Sequence, residues 1–329
     1  MSKLFLDLEH NTKTISPLAA FDFIDGQARA VEDNWPEAEI SEGFRWLHFD
    51  LNDDQFETWV KERLTTVAAW SLLQKETRPR CERNSEGMIL NLRAVNLNPQ
   101  SAPEDMVSLR IWATPSSIVS ARVRNVYAID TIKEEAAKGT GPSSVGVFLA
   151  RLAHSVVSRI EAVSLELEEK TDDFEILVSE GQMLESSAVG DLRQTVIKLR
   201  RFINPQREAI ANLAEVDDEI ISNRELALLQ ETNNRTRRTV EELDAVKDRL
   251  AALQDQLDAI RSHAISRNSY ILSVVAAVFL PLGFLTGLFG VNVAGMPGAS
   301  YPLSFWILTG LSIASGAMLF LIFKFAKWL

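Results

Sequence analysis

Two uncharged apolar runs near the C-terminal end constrain this chain most. Ile271–Phe289 holds 19 residues and Leu303–Phe323 holds 21, and neither contains Lys, Arg, Asp or Glu. As helices rising ~1.5 Å per residue they reach about 28 Å or more, close to the ~30 Å of a bilayer's hydrocarbon core. A helix satisfies its own backbone in lipid, so both runs are expected to cross a membrane, with a buried hairpin of a soluble protein as the competing reading. Pro281 and Gly283 sit inside the first run, where packing in a membrane compensates them. The connection Gly290–Pro302 is uncharged, whereas Arg261 and Arg267 precede the first run and Lys324 and Lys327 follow the second. Positively charged flanks stay on the cytoplasmic side, so both termini are expected inside, with these four residues as a basic ring at the inner face. Tyr301 and Trp328 are expected interface anchors at opposite faces. Two helices enclose no water-filled path, so any ion passage requires several copies around an axis.

The remaining length must fold in water. The chain has 329 residues, with 45 Asp and Glu against 34 Lys and Arg for a net charge of −11. That balance argues against nucleic acid as partner, because phosphate binding needs clustered cations, and it suits attraction of cations instead. Cys81 is the single cysteine, which excludes an intramolecular disulfide and a thiolate cluster within one chain. Met1–His10 alternates apolar and charged residues without an apolar core of signal-peptide length, so the bulk of the chain is expected in the cytoplasm.

Gln206–Leu280 runs 75 residues without Gly or Pro. Within it Leu243, Val246, Leu250, Leu253, Leu257, Ile260 and Ala264 recur at alternating spacings of three and four, the pattern of a coiled-coil seam. Asn223 is the expected N-cap of a helix entering the membrane without interruption, a rod on the order of 100 Å long. It serves as spacer, as oligomerisation rod, or as a lever between soluble region and membrane.

The chain before this stalk divides into two regions. Residues 1–142 carry β-like runs at Phe21–Ile24, Gln27–Val31, Phe44–Phe49, Met88–Leu97, Val107–Ala113 and Ile118–Val123, with amphipathic helices at Asp54–Leu64 and Val67–Gln74. Asp25-Gly26 signals a hairpin, and the whole reads as an α/β domain with a mixed central sheet. Residues 143–222 read as a helical hairpin, Val147–Ser179 and Gly190 to about Glu215, turning between Gly181 and Gly190. Glu161–Glu180 holds eight Asp or Glu against Lys170 alone, while the second helix carries Arg193, Lys198, Arg200, Arg201 and Arg207. Opposed charge is what an antiparallel pair of these helices needs. Glu161, Glu168 and Asp172 are also candidates to hold a divalent ion between subunits, since clustered carboxylates suit hard cations; a solvated, salt-bridged face is the commoner use. The stalk then covers 223–270, the spans 271–289 and 303–323, the external loop 290–302 and the basic tail 324–329.

No catalytic constellation stands out. His10, His48, His154 and His263 are scattered, without ligand spacing to one another or to Cys81, and glycine-rich phosphate loops are absent, so an enzyme is not expected. His263 near the membrane end of the stalk is a candidate soft-metal or proton site if copies form a ring. Cys81, after Arg78-Pro79-Arg80, reads as a half-buried strand residue.

Leu280-Pro281-Leu282-Gly283-Phe284-Leu285-Thr286-Gly287-Leu288-Phe289-Gly290-Val291-Asn292 resembles the end of the pore helix in the CorA superfamily of divalent-cation transporters, whose hallmark there is Gly-Met-Asn. Arg78-Pro79-Arg80, the Leu199-Arg200-Arg201 stretch with Pro205 and Arg207, and Lys327-Trp328-Leu329 resemble further family features, so the likeness covers nearly the whole chain. The resemblance implies a funnel-shaped homopentamer with the first span lining the pore. Gly290, Val291 and Asn292 would form its selectivity motif, and Leu288, Gly287, Gly283, Leu280, Leu272 and Ser269 would match its lining. Five Asn292 carboxamides would accept hydrogen bonds from the waters of a hydrated cation. Leu280 and Leu272 would make apolar rings and are gate candidates. Val291 in place of methionine, an external loop without acidic residues, and Gly283 where magnesium-type members carry a threonine resemble the zinc-moving ZntB branch. Zinc uptake across a bacterial inner membrane, coupled to protons as that branch implies, is the leading expectation, with no tightly bound cofactor and Zn²⁺ as the transported ion. A magnesium or cobalt channel and a membrane-anchored scaffold are the alternatives.

Overall fold

The computed structural model of the protein describes residues 13–75, 77–215, 220–290, 298 and 300–325. It divides into two compact units, one running to Gln254 and one starting at Asp255. The first unit is built on seven strands: β1 (Ala19–Ile24), β2 (Gln27–Ala30), β3 (Phe44–Asp50), β4 (Arg80–Asn84), β5 (Gly87–Ala94), β6 (Val107–Thr114) and β7 (Ser117–Arg122). Their order is β2-β1-β3-β7-β6-β5-β4, and all neighbours are antiparallel except β3 and β7. That one parallel pair makes the sheet mixed, as its alternation predicted. Asp25 and Gly26 join β1 to β2 with φ of 50° and 79°, the two positive values that a type I′ hairpin turn requires.

β3 is packed on both faces: of its seven residues only Arg45 and Asp50 are half-buried and the others, His48 included, are buried. Leu47 and Phe49 pack with Phe56, Trp59 and Leu72 from helices α1 (Phe56–Arg63) and α2 (Thr66–Leu73). Trp46 and Phe44 point the other way, their rings 5.1 and 6.4 Å from Phe148. Phe148 belongs to α4 (Val145–Ser179), which with α3 (Tyr127–Ala137) and α5 (Ser186–Ala214) completes this unit's order before the long helix. α5 sits on the far end of the sheet, where the Arg93 N–H donates to Oε1 of the fully buried Gln206 at 2.6 Å.

Two helix starts differ from expectation, and one helix was not expected. α4 starts at Val145 because Ser144 Oγ accepts the Val147 N–H at 3.2 Å, and it stops at Gly181, whose φ is 71°. There the Gln182 N–H reaches Leu177 O at 3.0 Å and the Gly181 N–H reaches Val178 O at 3.1 Å, the paired bonds of a Schellman ending. Gly190 lies inside α5 rather than in the turn. α3 carries no strong sequence signal, since it is short and only Ala128, Ile129, Ile132 and Ala136 are buried.

The long helix α6 covers Asn223–Gly290, 68 residues. Its cap is Ser222, one residue before the expected Asn223. The Ser222 N–H donates to Glu225 Oε2 at 3.0 Å, the Ser222 hydroxyl bonds the same carboxylate, and the Arg224 N–H points at Ser222 Oγ at 3.4 Å. This Ser-x-x-Glu pair is a capping box. The apolar seam is buried within the chain at Leu243, Val246, Leu250 and Leu253. It extends upstream through Leu229, Thr232, Thr236 and Thr239, all buried at the same three-four spacing. These threonines satisfy themselves: their hydroxyls donate to Leu228, Thr232 and Arg235 carbonyls at 2.7, 2.7 and 3.0 Å. Beyond Leu253 the seam is uncovered; Leu257 is half-buried and Ile260 is 52% exposed. The second unit holds this distal part of α6 and α7 (Ser304–Phe325), both long and apolar enough to cross a membrane.

Among the described residues the acidic face of α4 pairs with arginines of α6 and not with the basic residues of α5, which corrects the expected charge pairing within the hairpin. Arg235 of α6 donates to Glu161 Oε1 at 2.9 Å through Nε, and Arg249 of α6 donates to Glu175 Oε1 at 2.9 Å and to Asp172 Oδ1 at 2.5 Å. On α5, Arg200 instead bonds Asp244 of α6, and Lys198 lies 3.8 Å from Glu104. Both α4 contacts join residues 74 apart, so α4 and α6 run in the same direction in one fixed register.

Candidate functional site

Within the second unit the membrane half of α6 has two distinct sides. Val274, Val278, Leu282 and Leu285 are half-buried, and at ~100° per residue they share one arc of the helix. Leu308, Ser312, Ser315, Gly316 and Leu319 are among the half-buried positions of α7, again along one stripe. Leu282 Cδ1 lies 3.8 Å from where a Cβ on Gly316 would stand, so the small residues of α7 let the two helices approach.

The opposite arc of α6 carries Ser269, Leu272, Ala276, Leu280, Gly283 and Gly287 within roughly 80°. All are exposed, Leu272 by 70% and Leu280 by 78%, and a Cβ on Gly283 or Gly287 would meet nothing within 4 Å. Five of the six expected lining positions therefore fall on the face turned from α7. Leu288 does not share it; it stands about 100° from Gly287, on the shoulder of the helix. Nothing on this face is charged. The flanking hydroxyls are turned inward, Ser273 Oγ donating to Ser269 O at 2.9 Å and Thr286 Oγ1 to Leu282 O at 2.9 Å.

Gly290 ends α6. Val291, Asn292, Lys327 and Trp328 lie outside the described residues. Arg261, His263 and Arg267 are exposed on α6, and Lys324 is exposed in the last turn of α7. Two of the three candidate metal ligands of α4 are engaged elsewhere, Glu161 with Arg235 and Asp172 with Arg249, and the third, Glu168, is half-buried. These carboxylates hold both guanidinium groups above their ordinary pKa, mainly through the hydrogen bonds that Arg235 donates to Glu161 and that Arg249 donates to Glu175 and Asp172. Among the described residues no group of three or more His, Cys, Asp or Glu is placed to hold a metal ion.

The other titratable groups serve the fold. His48 is buried beside Ser120, its Nδ1 2.8 Å from Ser120 Oγ, and burial followed by the charges of Arg122 and Lys133 pushes its pKa down to about 3. Burial likewise pushes the Cys81 thiol up to about 12, leaving it inert. His154 lies on α4, its ring nitrogens 3.3 Å from Arg235 Nη1.

The described residues thus form a seven-stranded mixed sheet, the long helices α4, α5 and α6, and an apolar pair of α6 and α7 long enough to cross a membrane. The family described as CorA-like Mg²⁺ transporter protein matches residues 41–324, and the chain belongs to it. It is by that membership a divalent-cation transporter of the CorA family. A divalent cation transporter of Pseudomonas aeruginosa, CmaX, is 32% identical over 305 residues, 91% of this chain and 90% of its own. A zinc transport protein of Yersinia pseudotuberculosis, ZntB, is 32% identical over 286 residues, 86% of this chain and 88% of its own. The solved structure of full-length CmaX superposes with a TM-score of 0.82 at 29% identity, covering 95% of this chain and 98% of that one. These relatives are transporters, not enzymes.

Proposed function

We propose that this protein carries zinc ions into the cell through a homopentameric pore lined by α6, in a bacterial inner membrane with both termini on the cytoplasmic side. The observation that carries this reading is the two-sided character of α6: α7 covers the Leu282 face, and the Ser269–Gly287 face is left bare. Five copies with that face inward make an uncharged wall, narrow at Leu272 and Leu280 and wide at Gly283 and Gly287. Such a wall offers no group able to replace a cation's inner water shell, so ions pass hydrated, and selection falls to the Asn292 carboxamides at the outer mouth. The uncovered seam at Leu257 and Ile260 supports assembly, because it continues a stripe that is buried wherever this chain supplies the partner helix. Zinc rather than magnesium is favoured by the likeness to ZntB and by the uncharged loop after Asn292.

The test is zinc uptake into proteoliposomes at two pH gradients with magnesium as competitor. Zinc flux that survives excess magnesium and responds to the gradient supports proton-coupled zinc uptake; flux abolished by magnesium assigns the pore to magnesium. Asn292→Ala at wild-type rate and selectivity removes Asn292 from the selecting role.

A further inference from the structure

The register between α4 and α6 contains a third rung that does not match the other two. Glu161–Arg235 and Glu175–Arg249 are each 74 residues apart and two heptads from one another on both helices. The same offset, one heptad from either rung, sets Glu168 opposite Glu242. A pattern of acid against arginine thus holds above and below a position where acid meets acid.

The cations nearest this rung are bonded to other carboxylates. Arg238, four residues before Glu242, bonds Glu231; Glu241 is taken by Arg237; Lys247 lies against Asp244 and Asp248. Among the described residues neither Glu168 nor Glu242 makes an ion pair or hydrogen bond. The Glu242 carboxyl is held above its ordinary pKa, first by partial burial and then by Glu168 and Glu161, with Glu241 adding and Arg238 opposing. Beneath it the seam is also soft: the hydroxyls of Thr232, Thr236 and Thr239 are spent on their own helix and none donates across to α4.

We propose that Glu168 facing Glu242 is a built-in weak rung, a like-charge juxtaposition between two arginine clamps that lowers the cost of parting the middle of α6 from α4. Two arginine clamps fix where the helices return, and the repelling rung between them makes the middle the first part to open. A fully matched ladder would hold the two helices as one body; the mismatched one gives α6 a yielding segment inside the soluble unit.

The experiment is hydrogen exchange on the full-length protein in lipid nanodiscs, at neutral pH and low salt, read over residues 236–249. Glu242→Arg completes the ladder and is expected to slow exchange there about threefold, and Glu242→Gln, which only removes the repulsion, less than twofold. High salt, which screens exposed charges, is expected to narrow the difference between wild type and Glu242→Arg. Glu168→Arg repairs the same rung from the other helix and gives an independent reading. Slowing in either arginine variant, diminished by salt, supports the proposal. Exchange in both arginine variants as fast as in wild type, or a slowing indifferent to salt, overturns it.

Discussion

Arg249 of α6 forks onto Glu175 of α4, with Nε 2.9 Å from Oε1 and Nη2 2.6 Å from Oε2. The bidentate geometry is one a lysine cannot reproduce. Both side chains are partly exposed, so the pair is worth about 0.5–1 kcal/mol and is weakened by salt. Arg249→Lys is expected to lose most of that, read as faster hydrogen exchange at residues 243–253 with little change at β3.

Gly146 meets the start of α6 so closely that a Cβ there would stand 2.3 Å from the Ile220 carbonyl oxygen. Backbone cannot step aside as a side chain does. Gly146→Ala is therefore expected to destabilise the first unit by about 1–3 kcal/mol despite alanine's better helix propensity, measured by thermal unfolding.

Thr236 is buried, and its hydroxyl is bonded to Thr232 O at 2.7 Å. Its place in the seam comes from its shape, so Thr236→Val is expected to change stability by less than about 0.5 kcal/mol, whereas Thr236→Ala leaves a void worth roughly 1 kcal/mol. A valine variant as unstable as the alanine variant would show that the hydroxyl itself holds α6 in place.

His48 gives the first unit an acid-sensitive slope. Its folded pKa of about 3 lies below the ~6.5 of an unfolded histidine, so the unfolded chain binds the extra proton. The stabilisation is complete above pH ~6.5 and declines as pH falls toward ~3, by about 2 kcal/mol at pH 5. Replacing His48 with Gln is expected to flatten unfolding free energy against pH across that window.

Gly287 and Gly316 separate the two sides of the membrane hairpin. Gly287→Leu adds bulk where nothing stands within 4 Å, and it is expected to leave melting unchanged while cutting ion flux severalfold in proteoliposomes. Gly316→Leu drives a side chain toward Leu282 and is expected to lower the melting temperature. Flux untouched by Gly287→Leu would place that glycine against lipid.

Much of this architecture was legible before any coordinates. Nineteen uncharged residues ending at Phe289, the Asp25-Gly26 turn and the Leu243–Leu253 stripe each rest on a rule with little competition, because burial and backbone sterics act locally. The threonine part of the seam was hidden, since Thr232, Thr236 and Thr239 count as polar until their hydroxyls are seen bonded to the preceding turn. The acidic helix gave its charge but not its partner: the arginines of α5 and those of α6 are equally suitable on paper, and only packing chooses Arg235 and Arg249. On the distal part of α6 the resemblance to the CorA family marked the candidate positions, and Leu288 separates from the other five only by its angle about the axis.

The constant offset between α4 and α6 limits how relatives of this chain can change length. One residue gained or lost between Arg235 and Arg249 would turn the second arginine ~100° away from Glu175, so indels there are tolerable only in sevens and only when α4 changes by the same amount. The turn from Glu180 to Glu185, by contrast, bears no such tie, and length variation among homologues should gather there.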